Sequence, residues 1–306
     1  MKVYFGLPED KIADACCVTM GSYDGLHLGH MHVWNTLMNI AKDNSYVPVF
    51  ITYEPHPKCI IEPDNCPQAL TTLDERLEFM ESAGAEIAII IEFNKRIAAM
   101  PARDFIANLC EHINIKHIVV GADHTFGKDR AGNPQLLKEY GLEFGFEVTI
   151  VEDKTVDGQR LHSSQIRHLL RLGEVEAAAK LLGRNYTLTS HVEHGSGVGR
   201  KIGFPTINLV ITPNKLIPGR GVYACWAYLR QRKYMSAVNV GYRPTFGANR
   251  LTVEAYILDF DGDLYNEKVT LEFVKRLRDE EKYNSVEELI DQIKKDVDQT
   301  RAILDS

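Results

Sequence analysis

The stretch GSYDGLHLGH, residues 21 to 30, follows an apolar segment and combines glycines with two histidines. Its glycines leave room for the backbone to approach a phosphate closely. His27 and His30 are three residues apart, so a helix that begins here places both imidazoles on one face. Two imidazole donors suit the charge that builds on a phosphate during group transfer. The stretch predicts a nucleotide-binding loop; a glycine-rich turn with two surface histidines is the alternative. Besides the histidines, its predicted binding residues are Gly21, Asp24, Gly25 and Gly29.

A second phosphate-binding element is predicted further along, where residues 161 to 167 read LHSSQIR. Ser163 and Ser164 place two hydroxyls at the start of a helix, where free backbone N–H groups already favour an anion. Arg167 adds a guanidinium that binds phosphate oxygens in pairs. We expect these three side chains to hold a polyphosphate, although the pattern also fits an ordinary capped helix.

The later part of the chain has a glycine-rich segment of its own, HGSGVGRKIGFPTIN, at residues 194 to 208. It matches neither common glycine fingerprint for nucleotides, so its glycines alone are weak evidence. Pro205 disfavours a helix, and in an extended segment Thr206 and Asn208 point to the same side. Their oxygens, with the phosphates of a bound nucleotide, could complete a Mg²⁺ shell; a Thr and an Asn at an ordinary strand edge are the alternative. The residues predicted to contact phosphates are Gly195, Gly197, Arg200 and Lys201.

Glu254 is the only charged residue of the apolar run TVEAYIL, residues 252 to 258. A carboxylate in such a strand either faces solvent or sits in a pocket. A carboxylate that is held in a pocket can act as a general base. Glu254 is the candidate for that base.

The elements that must position these residues change character near residue 183. In the first part, apolar strands alternate with helical periodicity. Such strands form a parallel sheet covered on both faces, so residues 1–183 predict a Rossmann-like α/β domain. His27 then lies beyond the carboxyl end of the first predicted strand, where such sheets bind ligands. The predicted strands are 15–20, 47–53, 86–92, 117–121 and 146–151, and the predicted helices are 31–44, 72–83 and 101–112.

From residue 184 onward, short alternating runs separated by turn residues replace the helical periodicity. This pattern is typical of an antiparallel β-barrel, so residues 184–306 predict a second domain. The spacing of Ser285 and Glu288 fits a capping box, which predicts a closing helix. The predicted strands are 223–229, 234–240, 252–260 and 268–274.

Charge and hydropathy exclude several partners. Residues 1–183 hold 17 Lys and Arg against 26 Asp and Glu, a net charge of −9, and residues 184–306 hold 18 against 16, a net charge of +2. Neither part has the dense basic face that duplex nucleic acid requires. The apolar runs fall far short of the roughly 20 residues that span a bilayer, and MKVYFGLPED does not resemble a signal peptide. We expect a cytoplasmic protein that binds small molecules, as a monomer or weak homo-oligomer.

Six cysteines occur at positions 16, 17, 59, 66, 110 and 225, without CxxC or Cys/His metal spacing. We expect all six to pack as small apolar side chains.

The segment His27-Leu28-Gly29-His30 resembles the histidine-glycine-histidine motif of nucleotidylyltransferases. Other segments narrow the resemblance because they recur in order along nearly the whole chain. Together they resemble the bacterial bifunctional riboflavin kinase/FMN adenylyltransferase family. These segments are YEPHP (53–57), GADHTFGK (121–128), LGRNY (182–186), GFPTIN (203–208) and NVGYRPTF (239–246).

The resemblance implies two reactions that use ATP. The barrel would phosphorylate riboflavin to FMN, with Glu254 as base and Mg²⁺ on Thr206 and Asn208. The N-terminal domain would join AMP to FMN, giving FAD and pyrophosphate, with His27 and His30 stabilising the α-phosphate transition state. Further implied roles are pyrophosphate binding by Ser163, Ser164 and Arg167, nucleotide or metal positioning by Asp123, and flavin binding by Gly203, Thr206, Asn208, Asn239 and Arg278.

The chain departs from the family pattern at His162, where a serine is common, and at Ser164, which replaces a threonine. His124 replaces an aromatic residue, and Tyr23 replaces a phenylalanine. Because His162 and His124 fall in the adenylyltransferase part, a riboflavin kinase with an impaired N-terminal domain stays an alternative. The intact His27 and His30 count against that alternative. A nucleotidylyltransferase for another acceptor is also open, and the segment PTIN and Glu254 count against it. A non-catalytic flavin-binding regulator is the third alternative, and the retained candidate base and metal ligands count against it.

Overall fold

Six parallel strands form the centre of the N-terminal unit. They are β1 Lys2–Phe5, β2 Ile12–Met20, β3 Val47–Glu54, β4 Ile87–Glu92, β5 Ile113–Gly121 and β6 Glu147–Val151. Their order across the sheet is β1-β4-β3-β2-β5-β6. This computed structural model describes residues 1–156, 159–194, 198–230, 232–245 and 248–305. The predicted parallel sheet is confirmed.

Helices cover both faces of this sheet, as the apolar strands predict. Trp34 and Leu37 pack on one face, and Ile106 and Leu109 pack on the other. Cys16 and Cys17 point to opposite faces because side chains alternate along a strand. The helices are α1 Leu28–Asn44, α2 Pro57–Ile61, α3 Leu73–Ser82, α4 Lys95–Ala98, α5 Ala102–His112 and α6 Pro134–Phe144. A short hairpin follows, made of β7 Thr155–Val156 and β8 Gln159–Arg160.

The capping box predicted for α3 is present. The Thr72 hydroxyl accepts a hydrogen bond from the Glu75 N–H at 3.2 Å, and the Glu75 carboxylate accepts one from the Thr72 N–H at 2.9 Å. Two donors that have no intrahelical partner are thereby satisfied. This fixes the start of α3, which matters below because α3 carries Arg76.

The prediction that all six cysteines pack as free apolar side chains is wrong for two of them. Cys59 and Cys66 form a disulfide in the connection between β3 and α3. The short α2 and the 3₁₀ turn Pro63–Asn65 fold the chain back on itself, which brings the two Cα atoms to 4.2 Å. Cys110 is free and half-buried, and the remaining free cysteines, Cys16, Cys17 and Cys225, are buried.

The second unit contains two helices followed by a closed antiparallel barrel. The helices are α7 Ser163–Leu172 and α8 Val175–Leu182. The barrel elements are β9 Tyr186–Glu193, the helical turn α9 Val198–Lys201, β10 Thr206–Leu209, β11 Gly221–Leu229, β12 Arg232–Thr245, β13 Ala248–Ile257 and β14 Lys268–Arg278. The order around the barrel is β10-β13-β12-β11-β14-β9, and pairing of β9 with β10 closes it. The predicted barrel is confirmed.

The closing helix α10 spans Val286–Leu304. The Ser285 hydroxyl caps it by accepting from the Glu288 N–H at 3.2 Å, as predicted, while the Glu288 carboxylate accepts from the Asn284 N–H at 3.0 Å. The reciprocal half of the capping box is therefore displaced by one residue.

The chain divides into compact units between Ser163 and Ser164, which groups most of α7 and all of α8 with the barrel. The functional boundary near residue 183 stays a prediction. Over the residues that the structure describes, no helix has the length and apolar character of a membrane span.

Candidate active sites

The glycine- and histidine-containing loop connects β2 to α1, at the carboxyl end of a central strand. His27 is the N-cap of α1, and its Nδ1 accepts a hydrogen bond from the His30 N–H at 3.3 Å. In the neutral ring the proton of His27 therefore sits on Nε2. The two imidazoles stack with centroids 3.7 Å apart and planes 16° apart. The structure thus brings His27 and His30 together, as their spacing predicts.

A buried tyrosine supports the histidine pair. The Tyr23 ring meets the His30 ring edge-on, with centroids 5.0 Å apart, and its hydroxyl shares a hydrogen bond with that of Thr19. Burial raises the pKa of Tyr23 above its ordinary value. The phenol stays neutral at physiological pH, so Tyr23 packs against His30 as an uncharged ring.

Asp24 anchors the loop from behind. Its buried carboxylate accepts hydrogen bonds from the N–H groups of Leu70 and Thr71, at 2.8 and 3.0 Å. The N–H of Gly25, which has a φ of 85°, donates to the Thr71 hydroxyl at 3.0 Å. These bonds tie the loop to the segment that precedes α3. Neither Asp24 nor Gly25 lines the cavity described below, so their predicted contact with nucleotide stays a prediction.

Arg76 of α3 is a second buried anchor. Its guanidinium donates to the Ser22 carbonyl at 2.9 Å and to the Thr52 hydroxyl at 2.8 Å, and it forms an ion pair with Glu54. Arg76 therefore joins the loop to the end of β3. Its role was not predicted from the sequence. The available signal was its place four residues before Met80, on the face of α3 that is otherwise buried.

A cavity of about 1030 Å³ opens at the carboxyl ends of the strands. Open α/β sheets bind their ligands at this edge. Gly29 leaves space for the His27 ring, because a Cβ at this position would lie 3.1 Å from it. Of the predicted site residues, those that line the cavity are Gly21, His27, Gly29, His30, Asp123 and Ser163.

Asp123 and His124 reach the cavity from the loop after β5. His124 packs against Phe126 with centroids 5.8 Å apart and planes 23° apart. Burial lowers the pKa of His124 to about 4, so its imidazole is neutral near pH 7. This substituted position therefore presents an uncharged aromatic ring, like the residue it replaces.

The serine and arginine element begins α7. The Ser163 hydroxyl donates to the Asp24 carbonyl at 2.9 Å, so it reaches the loop directly. Ser164 is exposed and Arg167 is buried on the same helix. Both belong to the second unit, and their approach to the cavity stays a prediction.

In the barrel, backbone pairing places three predicted residues in one row. Glu254 on β13 lies directly opposite Asn208 on β10 and Asn239 on β12. Residues opposite each other on neighbouring strands project to the same face with Cβ atoms about 5 Å apart. Asn208 is buried, whereas Glu254 and Asn239 are half-buried. The structure thus aligns a carboxylate between two amides.

Thr206 lies two residues from Asn208 on β10 and pairs with Tyr256, so both side chains share one face of the strand. The helical turn α9 leads into this strand: the Phe204 N–H donates to the Gly199 carbonyl at 2.8 Å, and Gly203 has a φ of 87°. Arg200 on α9 is exposed. The predicted residues Gly195 and Gly197, and the side chain of Lys201, lie outside the described residues.

Arg278 is engaged within the fold. Its guanidinium binds the buried carboxylate of Asp296 on α10 at 2.9 and 2.7 Å, and Gln292 donates to the same carboxylate at 3.0 Å. This pair fastens the end of β14 to α10. Asp296, which is 18 residues away, was not predicted from the sequence. The predicted contact of Arg278 with flavin stays a prediction.

The oxygens of Thr206 and Asn208 are hard donors, which fits the preference of Mg²⁺ for oxygen ligands with phosphates and water completing its shell. Among the described residues, no cluster of three or more His, Cys, Asp or Glu could hold a metal by itself. Two side-chain oxygens are only part of a Mg²⁺ shell, so phosphates and water would have to complete it.

Two protein families match consecutive parts of this chain. The family described as FAD synthetase matches residues 9–165, and the family described as riboflavin kinase matches residues 182–304. A bifunctional riboflavin kinase/FMN adenylyltransferase from Buchnera aphidicola is 34% identical over 305 residues, 97% of each chain. The relative of that name from Bacillus subtilis is 34% identical over 283 residues, 91% of this chain and 89% of the relative.

Among solved structures, a Streptococcus pneumoniae protein described as a macrolide-efflux protein resembles this chain over almost its full length. The TM-score is 0.90 at 31% identity, and the match covers 98% of this chain and 99% of the other.

Proposed function

The chain belongs to the bifunctional riboflavin kinase/FMN adenylyltransferase family, and from this premise we propose which residues carry each of its two reactions. It is an enzyme of FAD biosynthesis with both catalytic domains present. ATP serves as substrate in both reactions, riboflavin becomes FMN in the barrel, and FMN becomes FAD in the N-terminal domain. The proposed domains are residues 1–183 and 184–306.

In the barrel, Glu254 accepts the proton of the ribityl 5′-hydroxyl as that oxygen attacks the γ-phosphorus of ATP and ADP departs. Asn208 and Asn239 flank the carboxylate by strand register. Thr206 and Asn208 would hold Mg²⁺, which neutralises phosphate charge when bound. Gly195, Gly197, Arg200 and Lys201 contact the phosphates of ATP, and Gly203 and Arg278 complete the flavin site.

In the N-terminal cavity, a phosphate oxygen of FMN attacks the α-phosphorus of ATP and pyrophosphate departs. The N–H groups of His27 and His30 stabilise the negative charge that develops on the α-phosphate. Ser163, Ser164 and Arg167 hold the pyrophosphate, and Asp123 positions the nucleotide. No protein nucleophile is needed, because the acceptor phosphate attacks directly.

The observation that carries this assignment is the alignment of Glu254 with Asn208 and Asn239 in one domain and the stacked pair of His27 and His30 in the other. Each lies within the segment matched by the corresponding family. We place the enzyme in the cytoplasm, as a monomer or weak homo-oligomer.

The test is a product time course with purified protein, riboflavin, ATP and Mg²⁺, with flavins separated by chromatography. FMN that rises and then gives way to FAD supports both assignments. FMN that accumulates without FAD, even when FMN is the starting flavin, would mean that the N-terminal site is impaired. No product from either flavin would favour a flavin-binding protein without catalysis.

A further inference from the structure

We propose that Cys59 and Cys66 are a redox modification site whose disulfide controls the adenylyl-transfer cavity. The controlled part is the segment Pro57 to Cys66, here called the clamp segment, which the disulfide closes across seven residues. The role of this cavity rests on the proposed function, whereas the response of the clamp segment to reduction does not.

The clamp segment forms one wall of the cavity. Five of its residues line the cavity, and they include charged and apolar side chains that suit a ligand with a phosphate and a flat ring. These residues are Pro57, Lys58, Ile60, Ile61 and Glu62. A change in the position of the clamp segment therefore changes the shape of the binding site.

Apart from the disulfide, local interactions hold the clamp segment weakly. Neither α2 nor the turn Pro63–Asn65 contains a buried residue. The helix has five residues, far below the roughly 12 that an isolated helix needs to be stable. Its i,i+4 ion pair, Lys58 with Glu62 at 3.7 Å, is half-exposed and contributes little. Helix α2 also packs against α4, and the covalent link adds a constraint that these weak local bonds do not supply.

Both ends of the clamp segment lead to the anchors of the histidine loop. Glu54, three residues before Pro57, pairs with Arg76, which in turn donates to the Ser22 carbonyl. Leu70, four residues after Cys66, donates its N–H to Asp24. Loosening of the clamp segment is thus transmitted toward the loop that carries His27 and His30, as well as to the cavity wall.

The chemistry is thiol–disulfide exchange with a low-molecular-weight dithiol or disulfide. On reduction, a thiolate of the dithiol attacks one sulfur, and its second thiolate then releases that sulfur. Two electrons pass to the protein, two Cys thiols form, and the dithiol becomes a cyclic disulfide. On oxidation by a small disulfide, one Cys thiolate attacks it and displaces a first thiolate. The second Cys thiolate then attacks the mixed disulfide and displaces the other, so two small thiols leave with the two electrons. Disulfides in a reducing cytoplasm are usually transient or sensing, which agrees with the half-buried, reachable positions of Cys59 and Cys66.

Cys110 provides a matched control. It is free and half-buried like the pair, but burial raises the pKa of its thiol to about 11, which keeps it protonated near pH 7 and poorly nucleophilic. It lies on α5, away from the clamp segment in the sequence.

The experiment measures both half-reactions in the full chain after treatment with glutathione disulfide or with dithiothreitol, and mass spectrometry reports the state of the pair. Reduction should raise the KM of FAD formation for FMN or ATP roughly tenfold, and reoxidation should restore it. The KM of FMN formation should not change, because the barrel domain has no disulfide among its described residues. C59S/C66S should stay at the reduced value in both buffers, whereas C110S should respond like the wild type.

Hydrogen exchange of the clamp segment is measured on the same samples, with α10 as reference. Faster exchange in the clamp segment on reduction supports the redox site even if the chain forms no FAD. Absence of FAD formation would contradict only the proposed function. The inference is overturned if the pair is converted and the exchange of the clamp segment does not change, or if FAD forms with an unchanged KM. It is also overturned if C110S abolishes the response or if the kinase KM shifts in parallel.

Discussion

The N-terminal cavity and the barrel row position their chemical groups in different ways. His27 and His30 come from one short loop and the first turn of α1, and a few buried polar bonds from Asp24 and Arg76 hold this loop in place. Asn208, Asn239 and Glu254 come from three strands, which the backbone ladder aligns. The first pair is therefore one continuous stretch of the sequence, whereas the second set comes from separate stretches that strand register brings into one row. The two sites should also fail independently, because each domain supplies its own groups.

The largest separation of the two activities is expected from Glu254→Gln. Loss of the base should slow FMN formation by about 10³-fold, since general-base catalysis contributes roughly 10²- to 10⁴-fold. FAD formation from added FMN should be unchanged. Rates of both half-reactions, measured by flavin chromatography, check this.

Glu267→Gln is the control, because this partly exposed barrel carboxylate pairs with Arg230 outside the proposed site. Equal loss of FMN formation in both variants would mean that Glu254 is not the base.

The reverse separation should follow from His27→Asn and His30→Asn. Removing one donor to the developing α-phosphate charge should lower kcat for FAD formation by about 10²-fold, with little change in KM and none in FMN formation. His32→Asn, an exposed position on the same helix α1, serves as control. A rise in KM at constant kcat would instead indicate a role in ground-state binding.

A smaller effect is expected from loss of a proposed Mg²⁺ ligand in the barrel. Asn208→Ala should move the Mg²⁺ dependence of FMN formation to roughly tenfold higher concentration, because one oxygen ligand is lost. The Mg²⁺ dependence of FAD formation should stay in place. Titration of both half-reactions measures this, with the exposed Asn284→Ala as control. A parallel shift in both reactions would contradict separate metal sites.

The smallest effect on rate is expected from His124→Phe, which should change the rate of FAD formation by less than about threefold. Its main effect should be on how the free energy of unfolding depends on pH. The native pKa of His124 is about 4 and its ordinary value is 6.5. Between these values the unfolded state binds the extra proton, so the free energy of unfolding should fall as pH decreases from 6.5 to 4, by up to about 3 kcal/mol. His124→Phe should remove this dependence.

The unfolding of the N-terminal unit can be followed separately, because the chain has two tryptophans and they lie in different units. Trp34 lies in the N-terminal core and Trp226 in the barrel. In a Trp226→Phe background, urea unfolding at pH 5 and pH 7 follows Trp34 fluorescence alone. An identical pH dependence in His124→Phe and in the parent would show that another group is responsible.

Much of the fold could be predicted because its strands are apolar along their length. The structure extends β2 to the buried Ile12, across the exposed Ala13 and Asp14, and it extends β14 to Arg278 through residues that are exposed or half-buried. β1 was missed because four half-exposed residues at a sheet edge carry little periodicity. The capped helices α3 and α10 were found because capping is local.

The remaining features depend on contacts that only the folded chain makes. The pairing of Asn208 with Glu254 joins residues 46 positions apart, and that of Arg278 with Asp296 joins a strand to a helix. The Cys59–Cys66 disulfide follows from how α2 and the next turn fold back. Residue types indicated the chemistry of both sites, but only the folded chain shows Arg76 and Asp24 as loop anchors.

The most direct test of two independent sites is complementation in one tube. Glu254→Gln and the double variant His27→Asn/His30→Asn are each given riboflavin, ATP and Mg²⁺, alone and mixed. Neither variant alone should make FAD at an appreciable rate, and the double variant should accumulate FMN. The mixture should make FAD after a lag, because FMN released by one chain is adenylylated by the other. A mixture that accumulates FMN without forming FAD, although Glu254→Gln alone converts added FMN, would contradict free exchange between sites. Failure of Glu254→Gln to convert added FMN would contradict their independence.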